Sequence, residues 1–234
     1  MIQQERHERI LSKLSLNGRV VVSELSDEFG VTRDCIRKDL AQLEKNGDLK
    51  RVHGGAIQTR SNPRTLLVSD RLTLNVEAKK EIAKKAVDLI EDGDVIFLDI
   101  STTNIEIAKL LIERKRPLTV VTNMIDIMIL LSQCPDIKTI MIGGQLGRSP
   151  DGFTGSLAIS QIMKFHFDKA FVGTVGVNSQ TDQVYTYDVD DGLTKESIIR
   201  NADQAYLVME SIKYQQDGNY VFATMSDFRE IITE

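Results

Sequence analysis

Three short polar segments in the middle of the chain carry residue types suited to holding a small anionic ligand. They are Asp99-Ile-Ser-Thr-Thr-Asn104, Thr122-Asn123 and Gly143-Gly144. The hydroxyls of Ser101, Thr102 and Thr103 open a helical stretch. With the free N–H groups of that first turn and the helix dipole, they would receive an anion such as phosphate. Asp99 would repel the phosphate, but its carboxylate can accept hydrogen bonds from hydroxyls of an attached sugar. Gly143-Gly144 lets backbone approach a ligand with no Cβ in the way. Each segment is also an ordinary N-cap or turn, and residue type alone leaves both readings open. A different chemistry sits nearer the N-terminus, where Arg37 and Lys38 turn away from an apolar stripe. Exposed cations on a helix suit nucleic-acid phosphates and base edges.

Composition removes several other chemistries. Cys35 and Cys134 are isolated, no CxxC occurs, and His7, His53 and His166 are scattered, so neither a disulfide framework nor a metal site is expected. No cofactor motif is present. The start, Met1 to Arg9, lacks the apolar centre of a signal peptide. The most apolar stretch, Leu118 to Leu131, is broken by Asn123 and Asp126, short of the ~18 apolar residues a membrane span needs. A cytoplasmic protein without a membrane partner is expected. With 29 Lys and Arg against 34 Asp and Glu, the net charge is −5, which by itself argues against nucleic acid. The charge is uneven: residues 1–60 hold eleven basic and nine acidic residues (+2), which leaves −7 for residues 61–234.

The elements that must position these residues fall into two groups. Ile10, Leu11 and Leu14 mark a first helix from Ile2 to Leu16, stopped at Asn17-Gly18. Ser23 then caps a short helix that ends at Phe29 and is closed by Gly30. Thr32 caps a third helix, in which Ile36, Leu40 and Leu43 form the buried stripe. At about 100° per residue, Arg37 and Lys38 point away from that stripe. Two helices joined by a glycine turn, the second presenting cations, match a helix-turn-helix. A purely structural hairpin has the same outline. Leu49 to Ile57 adds a β ribbon turned at Gly54-Gly55, with Lys50, Arg51 and His53 at its base, which reads as a wing.

A polar, proline-containing stretch near Gln58 to Thr65 separates a second region. Its reading is an amphipathic helix at Asn75 to Ile90, then a strand at Val95–Leu98, a helix at Asn104 to Leu111 and a strand at Leu118–Val121. A helix at Ile125–Leu131 and a strand at Thr139–Ile142 follow. This alternation predicts a mostly parallel sheet flanked by helices, with ligands at the carboxyl ends of its strands. The three polar segments fall at those ends. The expected divisions are residues 1–57, a linker over 58–74, and 75–234.

The run from Val31 to Ala56, with Ile36-Arg-Lys-Asp-Leu40 and Arg51-Val-His-Gly-Gly-Ala56 inside it, resembles the signature of the DeoR family of bacterial repressors. Asp99 to Thr103, Thr122-Asn123, Gly143-Gly144 and Gly155 resemble that family's sensor domain, itself similar to ribose-5-phosphate isomerases and CoA transferases. The resemblance implies a sugar-responsive regulator whose winged helix-turn-helix binds double-stranded operator DNA as a homodimer or homotetramer. Thr32, Arg33, Cys35, Arg37, Lys38, Lys50, Arg51 and His53 would face DNA, with Asp34 and Asp39 beside them weakening non-specific binding. A phosphorylated sugar would bind at Asp99, Ser101, Thr102, Thr103, Thr122, Asn123, Gly143, Gly144, Lys195 and Lys213. The two lysines would supply the cations, a solvated surface being the alternative for Lys195.

Cys35 stands where the family commonly has Thr. It exchanges a hydroxyl for a weak thiol donor if it meets DNA, and otherwise simply packs. Glu210-Ser-Ile-Lys213 carries Glu and Ile where Asp and Ser are usual. Because family members generally continue past the equivalent of Glu234, the sheet is expected to lack its last strand. No catalytic residue is expected. The alternative is an isomerase-like enzyme fused to a DNA-binding head, with Asp99 as its base.

Overall fold

The computed structural model describes residues 2–17, 19–46, 48–57, 71–146, 151–214 and 216–234. Two compact units are present, residues 1–61 and 62–234. Most of the expected linker, residues 58–70, lies outside the described residues.

The first unit runs α1 (Gln3–Asn17), β1 (Arg19–Val21), α2 (Val22–Phe29), α3 (Arg33–Asn46), β2 (Lys50–Val52) and β3 (Gly55–Ile57). Each helix contributes one apolar stripe to a shared core: Ile10 and Leu14 from α1, Leu25 and Phe29 from α2, Ile36, Leu40 and Leu43 from α3. Gly30 ends α2 in the left-handed conformation (φ 62°), which favours a residue without Cβ. Thr32 caps α3 as expected, its Oγ1 accepting from the Cys35 N–H at 3.3 Å.

Two details differ from the sequence reading. Ser23 does not cap α2, because the helix starts one residue earlier at Val22 and its N-cap is Val21. The chain enters α2 directly from β1, and the Val22 N–H donates to the Gly54 carbonyl at 2.8 Å, so strand pairing sets the helix start. The wing is a three-stranded sheet of order β1-β3-β2, not a two-stranded ribbon. Val20 pairs with Ala56 and Val21 with Gly55. A Cβ on Gly55 would lie 2.0 Å from the Val20 carbonyl oxygen, so glycine is required there. Arg-Val-Val is too short for an alternation signal, which is why β1 escaped the pattern.

The second unit contains α4 (Val76–Asp88), β4 (Val95–Leu98), α5 (Thr102–Arg114), β5 (Leu118–Thr122), α6 (Ile125–Leu131) and β6 (Ile137–Met141). There follow β7 (Gln145–Leu146), β8 (Phe153–Thr154), α7 (Ser156–Ile162), β9 (Phe167–Gly173), β10 (Gly176–Asn178) and β11 (Gln183–Thr186). The chain then forms α8 (Val189–Arg200), β12 (Ala202–Val208), β13 (Tyr220–Thr224) and β14 (Glu230–Ile232).

Six strands make one sheet in the order β14-β12-β9-β4-β5-β6, every neighbouring pair parallel. Both faces are buried, so the strands are apolar on both sides. Ile96, Leu98, Val120 and Phe171 face the core shared with α4, α5 and α6. Phe97, Val121, Ala170 and Val172 face the core under α7, α8 and the antiparallel sheet β10-β11-β13. Strand order reverses between β4 and β9: the chain builds outward through β5 and β6, then returns to the other side of β4. The crevice at the carboxyl ends of those two strands is where such a sheet admits ligands.

Candidate functional site

In the first unit, Thr32, Arg33, Asp34, Arg37 and Lys38 are exposed along α3, and Lys50, Arg51 and His53 are exposed on the wing. Cys35 is half-buried. Two of the cations are engaged by acids: Arg37 with Asp34 at 2.7 Å, and Arg51 with Glu44 at 2.7 Å. The Arg51 pair joins the wing to the end of α3, since the Arg51 N–H also donates to Glu44 at 2.9 Å. These contacts hold the Glu44 carboxyl below its usual range, the backbone N–H contributing most.

Asp39 does not stand beside the exposed cations of α3. It is 1% exposed and points into the unit, where Arg6 grips it with Nε at 2.5 Å and Nη2 at 3.0 Å. Its position three residues after Ile36 and four before Leu43 puts it inside the apolar stripe. That spacing is the signal the charge had obscured.

In the second unit, the predicted ligand residues gather at the carboxyl ends of the parallel strands. Asp99 follows β4 and is fully buried. Its Oδ2 accepts from Lys195 Nζ in a close ion pair and from the Gly173 N–H at 3.1 Å, at the end of β9. Lys195 is 3% exposed and also lies 3.8 Å from Asp191 and 5.8 Å from the centre of the Phe222 ring. The solvated-surface alternative for Lys195 is therefore excluded. Its charge is met by two carboxylates before any phosphate arrives.

Ser101 is the N-cap of α5: its Oγ accepts from the Thr103 N–H at 3.1 Å and the Asn104 N–H at 3.4 Å. Two of the first-turn donors that were expected to meet an anion thus bond to Ser101. Thr102 and Thr103 are buried beside it. Thr122 ties β5 to β4, its Oγ1 donating to the Leu98 carbonyl at 2.7 Å. Asn123 holds the β8 segment through its side-chain amide to the Phe153 carbonyl at 2.9 Å. Gly143 is clamped by the Gln161 amide, which accepts from its N–H at 3.3 Å and donates to its carbonyl at 2.8 Å. A Cβ on Gly144 would come within 2.9 Å of the Thr154 carbonyl oxygen, so packing against the segment before α7 already demands glycine there.

Lys213 sits on a 3-10 turn after β12, half-buried, with Glu210 at 2.9 Å and the Thr174 carbonyl at 2.9 Å. Burial raises the Glu210 carboxyl, but the charge and hydrogen bond of Lys213 outweigh it and leave the group below its usual range. Glu210 also lies 4.0 Å from Lys79 of α4. Lys79 is 4% exposed and donates to the carbonyls of Arg71 and Leu74 at 2.6 and 2.7 Å. Burial pulls its ammonium below the usual lysine range, opposed by the charge of Glu210. Nearby, Arg71 forms an ion pair with the buried Asp151.

Lys79, Arg71, Glu210 and Asp151 were not picked out from sequence as a group. For Lys79 a signal existed, since it lies three residues before Ile82 on the buried face of α4. Among the described residues no cluster of His, Cys, Asp and Glu could hold a metal ion, and no helix is long and apolar enough to cross a membrane.

A winged helix-turn-helix with exposed cations, followed by a parallel α/β unit with polar groups at its topological switch point, defines a two-part transcriptional regulator. Comparison with known proteins gives the family. Residues 6–62 match the DeoR-like helix-turn-helix domain and residues 74–234 match the DeoR C-terminal sensor domain, so the chain belongs to the DeoR family. It is 35% identical to the uncharacterized HTH-type transcriptional regulator YulB of Bacillus subtilis, over all of this chain and 90% of that one. It is 32% identical to a lactose phosphotransferase system repressor of Lactococcus lactis, over 92% of this chain and 85% of the relative. Among solved structures, eIF2B delta of Chaetomium thermophilum shares the fold at 13% identity and a TM-score of 0.50, over 70% of this chain and 58% of that one. A ribose 5-phosphate isomerase of Methanocaldococcus jannaschii aligns at 18% identity and a TM-score of 0.44, over 60% and 55%.

Proposed function

We propose that this regulator is a cytoplasmic repressor of a sugar-metabolism operon, that its head binds duplex operator DNA, and that a phosphorylated sugar bound in the sensor unit alters that binding. The observation that carries the reading is a set of three buried acceptor oxygens with no hydrogen-bond partner among the described residues. They are Asp99 Oδ1, Asn104 Oδ1 and Asn123 Oδ1, near the carboxyl ends of β4 and β5. Buried acceptors left unbonded cost about 1–3 kcal/mol each, and a polyhydroxylated ligand brings donors for them. The phosphate falls to Lys213 and Lys79, because these two ammonium groups share the one carboxylate of Glu210 and leave a positive charge for an anion to meet. In this assignment Lys195 orients Asp99, and Ser101 to Thr103 shape the α5 terminus. The names of the relatives support the regulator reading over an isomerase.

Control of DNA binding requires that the sugar bind one arrangement of the protein better than the other. A homodimer or homotetramer supplies two heads to one operator, and linked heads raise affinity without any new contact. The test is operator binding by fluorescence anisotropy with a panel of hexose, pentose and triose phosphates. One or more should change operator affinity several-fold, and Lys213→Ala should abolish that response while leaving ligand-free DNA binding intact. If several sugar phosphates bind and none changes DNA affinity, the coupling fails. Conversion of ribose 5-phosphate by the purified chain would restore the enzyme reading.

A further inference from the structure

Asp39 turns into the unit, and its carboxylate is met by side chains of α1 and by Cys35 of its own helix. Arg6 of α1 holds both carboxylate oxygens. His7 Nε2 lies 3.1 Å and Gln3 Nε2 3.4 Å from Oδ1, and Cys35 Sγ lies 4.0 Å from Oδ2. Burial raises the Asp39 carboxyl, yet the hydrogen bonds and charges of Arg6 and His7 outweigh it and hold the group below its usual range. Arg6 is itself raised, first by its hydrogen bonds to Asp39. The carboxylate is thus ionised and locked in one geometry.

The apolar stripe alone would not fix α3 so closely. Contacts among Ile36, Leu40, Leu43 and the other helices are non-directional, and a helix can roll on such a surface while keeping its burial. A forked guanidinium on a carboxylate is directional in two dimensions. The roll angle matters at the opposite face. With an outer radius of about 6 Å, each 10° of roll moves the tips of side chains such as Arg33, Arg37 and Lys38 by roughly 1 Å. Base readout needs placement within about 0.5 Å and 10–20°. Phosphate contact by flexible lysines is far more tolerant.

We propose that Asp39 is a positioning residue for sequence readout: by fastening α3 to Arg6 and His7 of α1, it sets the roll at which the exposed face of the helix meets base edges. The proposal rests on the head being a sequence-specific DNA binder. Its effect falls on discrimination between sequences, not on affinity for DNA in general. A role in stability alone is separable, since a buried ion pair can be replaced by apolar residues of similar volume without loss of fold.

The test uses the full chain. A randomised duplex pool is enriched against the wild type, and the winning duplex and a scrambled version of it are titrated against Asp39→Asn and the double variant Arg6→Met with Asp39→Leu. Circular dichroism melting is followed in parallel. Asp39→Asn should weaken binding to the enriched duplex about 10–100-fold and to the scrambled one by no more than about threefold, the loss that one or two mismatched base pairs produce. The double variant should melt at or above the wild-type temperature and still show the lost discrimination. A folded double variant with wild-type discrimination overturns the proposal, as does melting of the head in both variants, which would make the clamp a matter of fold alone. If the wild type enriches no sequence, the DNA-readout assignment itself falls, and that outcome is distinct from both.

Discussion

In the head, Arg33, Lys38 and Lys50 stand in solvent, with no ion pair to any described residue. In the sensor unit, Lys79, Lys195 and Lys213 are drawn inward against carboxylates and backbone carbonyls. Under the proposed function, the difference follows from the size of the partner. A DNA duplex arrives as an extended line of phosphates and releases counterions as it is neutralised, so cations on the surface suffice. A small ligand cannot gain much from screened surface charge and needs cations held in place inside a crevice, where removal from water is offset by built-in acceptors. The head therefore spends little folding energy on its exposed cations, whereas in the sensor unit the buried Lys195 is packed against Asp99 and Asp191.

That contrast can be broken most directly at Lys195. Lys195→Ala leaves Asp99 and Asp191 without their shared cation, and removal of one partner of a buried pair costs about 3–5 kcal/mol. Hydrogen exchange should show the sensor unit opening while the head keeps its protection; equal loss in both units would refute the distinction. Arg37→Ala should leave the melting temperature unchanged and cost about 1–3 kcal/mol of operator affinity, with relaxed specificity, if its guanidinium reads a base. Lys50→Ala should weaken all duplexes alike and reduce the slope of log affinity against log salt by about 1, as loss of one phosphate contact does. A sequence-dependent effect of Lys50→Ala would place the wing in a groove instead.

The acid limb of stability should blur the contrast. Asp39 in the head and Glu210 in the sensor unit are both raised by burial but, on balance, lowered by their cationic partners. A carboxyl whose folded pKa is depressed contributes stability that is complete above its unfolded value and lost as pH falls through the folded one. Both units should therefore lose melting temperature below about pH 4. Asp39→Asn should flatten that dependence in the head, and Glu210→Gln in the sensor unit. The smallest effect is expected at Arg51→Ala, whose pair with Glu44 lies in solvent. No measurable change in melting should follow, and a clear one would show that the wing is fastened through that pair.

Much of the architecture was legible because it depends on local spacing. Ile36, Leu40 and Leu43 gave the stripe of α3, Gly30 its left-handed turn, and the apolar runs gave β4, β5 and β6 with their polar carboxyl ends. Less was legible at the site. Ser101, Thr122 and Gly144 sit where the pattern put them, yet each is already engaged locally, Ser101 as a helix cap, Thr122 as a tie between strands and Gly144 in a close approach to Thr154. Composition could not separate such local engagement from ligand binding, because both use the same short side chains. Strand β1 was missed for want of length, and its pairing with β3 in turn moved the start of α2.

The sequence by itself determined which side of each element is buried, and this holds even for charged residues. Asp39, Lys79 and Lys195 all fall within the apolar faces of their helices, at three- and four-residue spacing from Ile36 and Leu43, from Ile82, and from Ile198. A charge in such a stripe must find an opposite charge or hydrogen bonds, since desolvation leaves no other stable arrangement. Which partner it finds was decided only by tertiary structure. Arg6 meets Asp39 across 33 residues of chain and Lys195 meets Asp99 across 96. Helical periodicity reaches only a few residues along the chain, whereas the packing of α1 on α3 and the crossing of α8 toward β4 are properties of the whole fold.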